Sequence, residues 1–208
     1  IMYNNSIKVL EKKSNLARQK IIEVTTEVEG GHLAGSLSCI DILIAIYFKV
    51  LKHKPDNPDW ENRDRFILSK GHGAPAFYVA LAMSGYFPQD ELFTLRKINS
   101  RLQGHPDCKK LPGIEISTGS LGQGLSAAVG MALGYKYDNK KDSQIYCLLG
   151  DGECDEGQVW EAAMFASSYN LKNITVIIDR NGYQIDGRTK DVMKLEPLDL
   201  KWKSFGWE

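Results

Sequence analysis

Apolar positions in this chain follow two rhythms, and the clearest change between them lies from Ile145 to Gly187. Ile145 to Leu149 is a short apolar run that stops at Gly150-Asp151-Gly152. Val159, Ala162, Ala163, Ala166 and Tyr169 then recur at spacings of three and four. A second short run, Ile174 to Ile178, ends in Asp179-Arg180-Asn181-Gly182. Short apolar runs on either side of a helical stripe predict a βαβ unit of roughly thirty residues. Its crossover places the carboxyl ends of both strands on one edge of a parallel sheet, so Asp151 and Asn181 are expected to face each other across a crevice.

The rest of the chain supplies the remaining layers. Ile7, Leu10, Ala17, Ile21, Val24 and Val28 form a helical stripe over residues 6 to 28, with Ser6 as its cap and Gly30-Gly31 as its end. Residues 38 to 51 predict a second helix, apolar on nearly every face and therefore buried. A loop rich in proline and asparagine, His53 to Asn62, leads to a short strand over Arg65 to Leu68. Ser69-Lys70-Gly71-His72-Gly73 lies just past that strand, before a helix ending at Gly85. Pro88, backed by Asp90 and Glu91, predicts a further helix start. A long loop from Ser100 to Gly124 precedes a small-residue helix reaching about Tyr137, and a last helix is expected near 198 to 205. Gly206 reads as its terminator and Trp207-Glu208 as the start of another strand, so residues 1 to 208 are expected to form one domain lacking its C-terminal end. Strands separated by helices predict an α/β fold, a mainly parallel sheet with helices on both faces.

Composition narrows the partners. The 208 residues are 43% hydrophobic and 25% charged with a formal net charge of zero, which offers no long-range attraction to nucleic acid or an anionic membrane. The longest apolar stretch, Cys39 to Val50, is broken by Asp41 and Lys49 and is shorter than a bilayer-spanning helix. The opening residues do not read as a charged-then-apolar secretory leader, with an upstream piece expected before Ile1, and four scattered cysteines, 39, 108, 147 and 154, show no metal-ligand spacing. A reducing, cytoplasmic setting is the expectation.

Candidate chemistry gathers at the predicted strand ends. Glycines around Asp151 allow close backbone approach, and a helix beginning near Glu156 adds a positive dipole end suited to a diphosphate. Asp151 would repel that group unless a divalent cation lay between them. Magnesium held by Asp151, the Asn181 side-chain oxygen and a backbone carbonyl just beyond resolves the conflict. Asp-Gly or Asn-Gly alone reads as a turn; at opposite ends of one βαβ unit the pair points to a site. A Walker loop and a Gly-x-Gly-x-x-Gly turn are both absent. Three of the four histidines, His32, His72 and His105, follow a glycine, and imidazole suits proton movement near neutral pH. His53, in a charged loop, reads as a surface residue.

Gly150-Asp151-Gly152 with Asn181 resembles the thiamine diphosphate motif, and the surrounding blocks resemble the transketolases. Those blocks are Gly31-His32, Arg63 to His72, Gln103-Gly104-His105-Pro106 and Ser117 to Gly124. The likeness is to the N-terminal, diphosphate-binding subunit of split transketolases. It implies the thiamine diphosphate-binding fold and transfer of a two-carbon ketol unit between ketose and aldose phosphates. It also implies magnesium, with calcium able to substitute, held by Asp151, Asn181 and the Tyr183 carbonyl. Gly150, Gly152 and His72 would meet the diphosphate, and Gly119 and Leu121 the aminopyrimidine side. His32, His72 and His105 would surround the reacting carbon and the sugar hydroxyls. Glu156 is carried over as a cofactor-site residue, and with Glu161 it matches glutamates that join the halves of a site across a subunit interface. Arg96 and Arg101 carry no assigned role.

The resemblance further implies a C-terminal partner subunit with the pyrimidine-binding domain, a second copy of that assembly (a heterotetramer), sugar phosphate substrates and the pentose phosphate pathway. The partner would supply the glutamate that activates the cofactor. Alternatives are a deoxyxylulose phosphate synthase or 2-oxo acid dehydrogenase subunit, or a binding module without catalysis. Two departures stand out: Leu33-Ala34 follows His32 where many relatives have Pro-Gly, and Cys154-Asp155 occupies a position where relatives differ.

Overall fold

The computed structural model describes residues 6–140, 142–185 and 187–208. Three strands carry the frame: β1 (Arg65–Leu68), β2 (Ile145–Gly150) and β3 (Ile174–Asp179). All pairings are parallel, in the order β1-β2-β3, with Leu68 opposite Leu148 and Gly150 opposite Asp179. The expected βαβ unit is present, with a helix over Gly157–Ser168 between β2 and β3.

Alternation along the strands divides the core into two layers. Phe66, Leu68 and Leu148 face α1 (Ile7–Glu27), α2 (Leu33–Leu37), α3 (Ile40–Ala45) and α4 (Ala74–Ser84). Ile67, Cys147 and Leu149 face α5 (Gln123–Tyr137), α6 (Gly157–Ser168) and the C-terminal helix over Leu198–Ser204. The sheet is thus covered on both faces, as the strand-helix alternation predicts. Helix α4 is buried over nearly its whole length and stops at Gly85, whose φ of 99° a side chain would resist. Beyond β3, a hairpin of β4 (Tyr183–Gln184) and β5 (Gly187–Arg188) leads to a short α7 (Thr189–Val192) and then α8, the helix over Leu198–Ser204.

Several boundaries differ from the sequence pattern. The Ser6 side chain makes no capping bond, and its carbonyl takes the Val9 and Leu10 N–H groups instead. The second helical region begins at Leu33 rather than residue 38 and ends in a wider π turn, Ile46–Val50. By length and composition the stretch Leu33–Val50 could cross a bilayer. Its Ile40, Leu43, Ile44 and Tyr47 are instead packed in the core with residues of α1 and α4, while exposed Asp41 pairs with Arg18. The segment after Pro88 is a 3-10 turn, Gln89–Thr94, not an α-helix.

His53 is the clearest correction. It is buried, not on the surface: one ring nitrogen lies 3.1 Å from the Tyr86 hydroxyl, the other 2.9 Å from the Tyr47 carbonyl, and the ring stacks on Tyr86. Burial lowers its pKa from the ordinary value. A depressed histidine pKa means that the folded state binds fewer protons than the unfolded one, so stability is present above the unfolded value near 6.5 and declines as pH falls. Denaturant titrations at pH 7.5 and 5.5 should show a lower midpoint at the acid pH. His53→Gln should retain less of that dependence; an unchanged pH response in the variant would contradict the assignment.

Candidate active site

Loops leaving the carboxyl ends of β1, β2 and β3 converge, as ligand sites of parallel sheets require. After β1 the chain turns through Ser69 and Lys70 into a 3-10 turn, Gly71–Gly73, which presents His72. After β2, Asp151 begins a second 3-10 turn, Gly152–Asp155, ahead of α6. After β3, Asp179 leads to Asn181 and the β4–β5 hairpin. Two more segments complete the ring: His32, at the start of α2, and the loop carrying His105 and Gly119.

The five segments enclose a cavity of about 310 Å³ lined by His32, His72, His105, Gly119, Leu121, Gly150, Asp151, Gly152, Glu153, Asn181 and Tyr183, with Lys70, Gln184 and Ile185. Every site residue expected from the sequence is there except Glu156. That carboxylate sits exposed in front of α6, outside the cavity wall. A more open cavity of about 500 Å³ shares His32, His72, Asn181, Tyr183, Gln184 and Ile185 and continues past Gly35 and Ser38. Another cavity, about 600 Å³, opens on another side of Asp151 among Arg180, Arg188, Lys190 and Lys194 and is lined by none of the histidines. The histidine-lined cavity is the one with the means for proton chemistry.

Ring centroids of His32 and His72 lie 5.6 Å apart, and those of His32 and His105 6.4 Å apart. Burial, then Lys70 and the neighbouring imidazoles, pushes His72 down to about 4. Burial, His32 and Arg96 lower His105 as well. His72 is therefore a neutral imidazole at pH 7, able to accept a proton. Glycine is needed around it: a Cβ on Gly35 would come within 2.7 Å of the His72 ring, and one on Gly119 within 3.3 Å of His105.

Asp151 is buried, and its two oxygens accept the Gly152 N–H at 2.9 Å and the Gly182 N–H at 2.7 Å. Among the described residues no basic side chain lies within ion-pair distance of it. The Asn181 side-chain oxygen accepts the Tyr183 N–H at 2.9 Å, which turns the chain so that Asn181 and Tyr183 line the same wall. Among the described residues no three His, Cys, Asp or Glu are grouped for a metal. A buried carboxylate with no cation in ion-pair range among the described residues, lining one cavity with Asn181 and Tyr183, fits magnesium bound partly by a phosphate ligand. A transition-metal cage would need more side-chain ligands than are gathered here.

Four residues at the base of the cavity were not foreseen from the sequence. Lys70 is fully buried and donates to the Asp179 carboxylate at 2.5 Å, the Gly35 carbonyl at 3.0 Å and the Ser38 hydroxyl at 3.3 Å. Its ammonium is thus spent on the protein rather than offered to a ligand. Ser69 donates to Glu153, which is itself buried. The signals that could have found them were a Ser-Lys pair directly after one apolar strand and an aspartate closing another.

Fold and site together define a domain that holds an anionic cofactor at the carboxyl edge of a parallel sheet. The profile of one family, the transketolase, thiamine diphosphate binding domain, matches residues 10–208, and the chain belongs to the transketolase family. It is 48% identical over 95% of its length to a 6-deoxy-6-sulfo-D-fructose transketolase subunit of Clostridium sp., covering 72% of that relative. It is 44% identical over 97% of its length to an apulose-4-phosphate transketolase subunit of Phocaeicola vulgatus, covering 71%. The crystal structure of Campylobacter jejuni transketolase superposes with a TM-score of 0.92 at 34% identity over 98% of this chain. The chain spans about a third of that transketolase's length.

Packing at the site gives a direct test. A Cβ on Gly71 would meet the Gly119 nitrogen at 2.7 Å and the Thr118 carbonyl carbon at 2.9 Å, both backbone, whereas one on Gly157 would meet nothing. Gly71→Ala should cost about 1–3 kcal/mol in denaturant unfolding, while Gly157→Ala should stay within about 1 kcal/mol of the parent. Equal midpoints for the two variants would contradict the described approach of the two loops.

Proposed function

We propose that this chain is the cofactor-holding part of an enzyme that transfers a two-carbon ketol unit from a ketose to an aldose, both bearing an anionic group. The observation that carries the proposal is the convergence of three histidines with Asp151 and Asn181 in one cavity. Thiamine diphosphate supplies the carbon centre that accepts and releases the ketol unit. The protein's share is binding, orientation and proton handling. Magnesium would be held by Asp151, the Asn181 side-chain oxygen and the Tyr183 carbonyl, with the glycines at 150 and 152 admitting the diphosphate.

His72 and His105, with depressed pKa values, are suited to accept a proton from a donor hydroxyl as its carbon–carbon bond breaks. His32 lies beside both, its ring centroid 5.6 Å from that of His72 and 6.4 Å from that of His105, so the acceptor carbonyl oxygen would also meet an imidazole there. A module that merely stored the cofactor would have no use for such a cluster.

Catalysis in this proposal needs a partner subunit carrying the pyrimidine-binding domain. Of the two carboxylates lining the cavity, Asp151 is assigned to the metal and Glu153 is taken up by the Ser69 hydroxyl and the Gly122 and Gly150 N–H groups, so neither is free to activate the cofactor. Exposed Met164 and Phe165 on α6, next to Glu161, and Tyr169 at its C-terminal cap offer an apolar surface for that partner or for a second copy of the assembly, giving a heterotetramer. The relatives named above are subunits for a sulfonated fructose and for apulose 4-phosphate. The donor is therefore proposed only as a ketose with an acidic terminus, and a place in the pentose phosphate pathway is one case of it. The free cysteines suit a cytoplasmic location.

Two measurements test the reading. Calorimetric titration of thiamine diphosphate with magnesium, chain and partner together, should give saturable binding that Asp151→Ala weakens at least about tenfold, the loss of one charged ligand contact. Binding indifferent to the substitution would defeat the metal assignment. Ketol transfer should be absent from the chain or the partner by itself and appear on mixing; turnover by the isolated chain would overturn the partner requirement.

A further inference from the structure

Glu153 is 2% exposed, follows the Gly150-Asp151-Gly152 turn and is absent from every role assigned so far. One of its oxygens accepts the Ser69 hydroxyl and the Gly122 N–H, the latter at 2.8 Å; the other accepts the Gly150 N–H at 3.0 Å. These donors come from three separate segments. Ser69 follows β1 and leads to His72, Gly122 follows Gly119 and Leu121, and Gly150 ends β2 beside Asp151. Each segment also lines the histidine-bearing cavity.

Taking a carboxylate out of water costs several kcal/mol unless it is well hydrogen-bonded. Three donors to one carboxylate, two of them backbone N–H groups, offset that cost through charge-assisted bonds. The donors have little freedom to rearrange. Gly122 stands at φ 82°, and a Cβ on it would run into Gln158 and Glu156 at the start of α6. A Cβ on Gly124 would fall 2.5 Å from the Ser69 oxygen, so Ser69 is pinned against α5. A carboxylate is the group that this set of donors demands. In a glutamine of the same shape, the NH₂ would have to face either the Gly150 or the Gly122 N–H, leaving one buried backbone donor unpaired.

We propose that Glu153 is a positioning residue for cofactor binding, the tie that holds the His72, Leu121 and Asp151 segments at one spacing. The proposal rests on the thiamine diphosphate reading above. Breaking the tie lets three segments drift relative to one another, and a cofactor that bridges them loses affinity even where the fold persists. A residue that served only stability would lower the unfolding temperature and leave affinity alone well below it.

The test is a thiamine diphosphate titration at saturating magnesium on the full chain with its partner, for wild type, Glu153→Gln, Ser69→Ala and the double variant, run far below every unfolding midpoint. Glu153→Gln should raise the half-saturating cofactor concentration about tenfold or more, the loss of a hydrogen bond to a charged group. Ser69→Ala should raise it less, and the double variant should be no weaker than Glu153→Gln alone, because both remove the same tie. Wild-type affinity in Glu153→Gln, or full additivity in the double variant, would overturn the proposal. If Glu153→Gln does not fold, Ser69→Ala decides alone: weakened binding at a near-parental midpoint supports the tie, and unchanged binding removes it. No cofactor binding by the wild-type assembly would instead reject the cofactor reading itself.

Discussion

The site depends on the in-register parallel pairing of β2 with β1 and β3. Parallel pairing aligns three carboxyl ends on one edge, and the register sets how far each segment projects beyond it. Gly150 opposite Asp179 places the Asp151 turn level with the start of the Asn181 turn. Leu68 opposite Leu148 starts the His72 turn two residues earlier on β2's scale. The Asp151 N–H then reaches the Asp179 carbonyl, and the Ser69 N–H the Leu148 carbonyl. A slip of one residue would reverse every strand side chain between the two core layers, so burial on both faces holds the site's geometry as firmly as it holds the fold.

That edge also collects charge, and its disposition separates scaffold from ligand site. Lys70 and Asp179 satisfy each other below the cavity, and Glu153 is satisfied by donors from three segments. Asp151 accepts the Gly152 and Gly182 N–H groups and, among the described residues, has no basic side chain within ion-pair distance. Above it stand imidazoles, of which His72 and His105 are held toward the neutral form by burial and neighbouring positive charge. The floor is thus electrostatically closed by the protein while the wall around Asp151 is open to a metal and an anion. Such a division is what a cofactor site needs: rigid where the protein must hold, and incomplete where the ligand must enter.

What was legible in the sequence had short range or a steady period. Strand β1 and the βαβ unit with Asp151 and Asn181 at its ends are set by local apolar patterning, and the glycine before each of His32, His72 and His105 marked a loop where backbone could approach a ligand. What was missed depends on contacts far apart in the chain. His53 sits among charged loop residues yet packs against Tyr47 and Tyr86, one of them thirty-three positions away. Lys70 meets Asp179 across 109 positions and Ser69 meets Glu153 across 84, pairings that no local window contains. The second helical region was placed too late, at residue 38 rather than Leu33; in the fold Gly35 packs closely against His72, which requires the glycine. Glu156 was carried over from the resemblance as a cofactor-site residue; after the 3-10 turn over Gly152–Asp155 it sits exposed ahead of α6, outside this cavity.

The central claim is that thiamine diphosphate with magnesium sits across the carboxyl ends of β1, β2 and β3, not in the larger basic cavity beside them. Hydrogen-exchange mass spectrometry on the chain with its partner, with and without cofactor and magnesium, tests it most directly. Peptides spanning residues 69–73, 117–122, 150–155 and 181–185 should become protected together, and removing magnesium should abolish the protection. Protection confined to residues 188–198, with those four segments unchanged, would contradict the account.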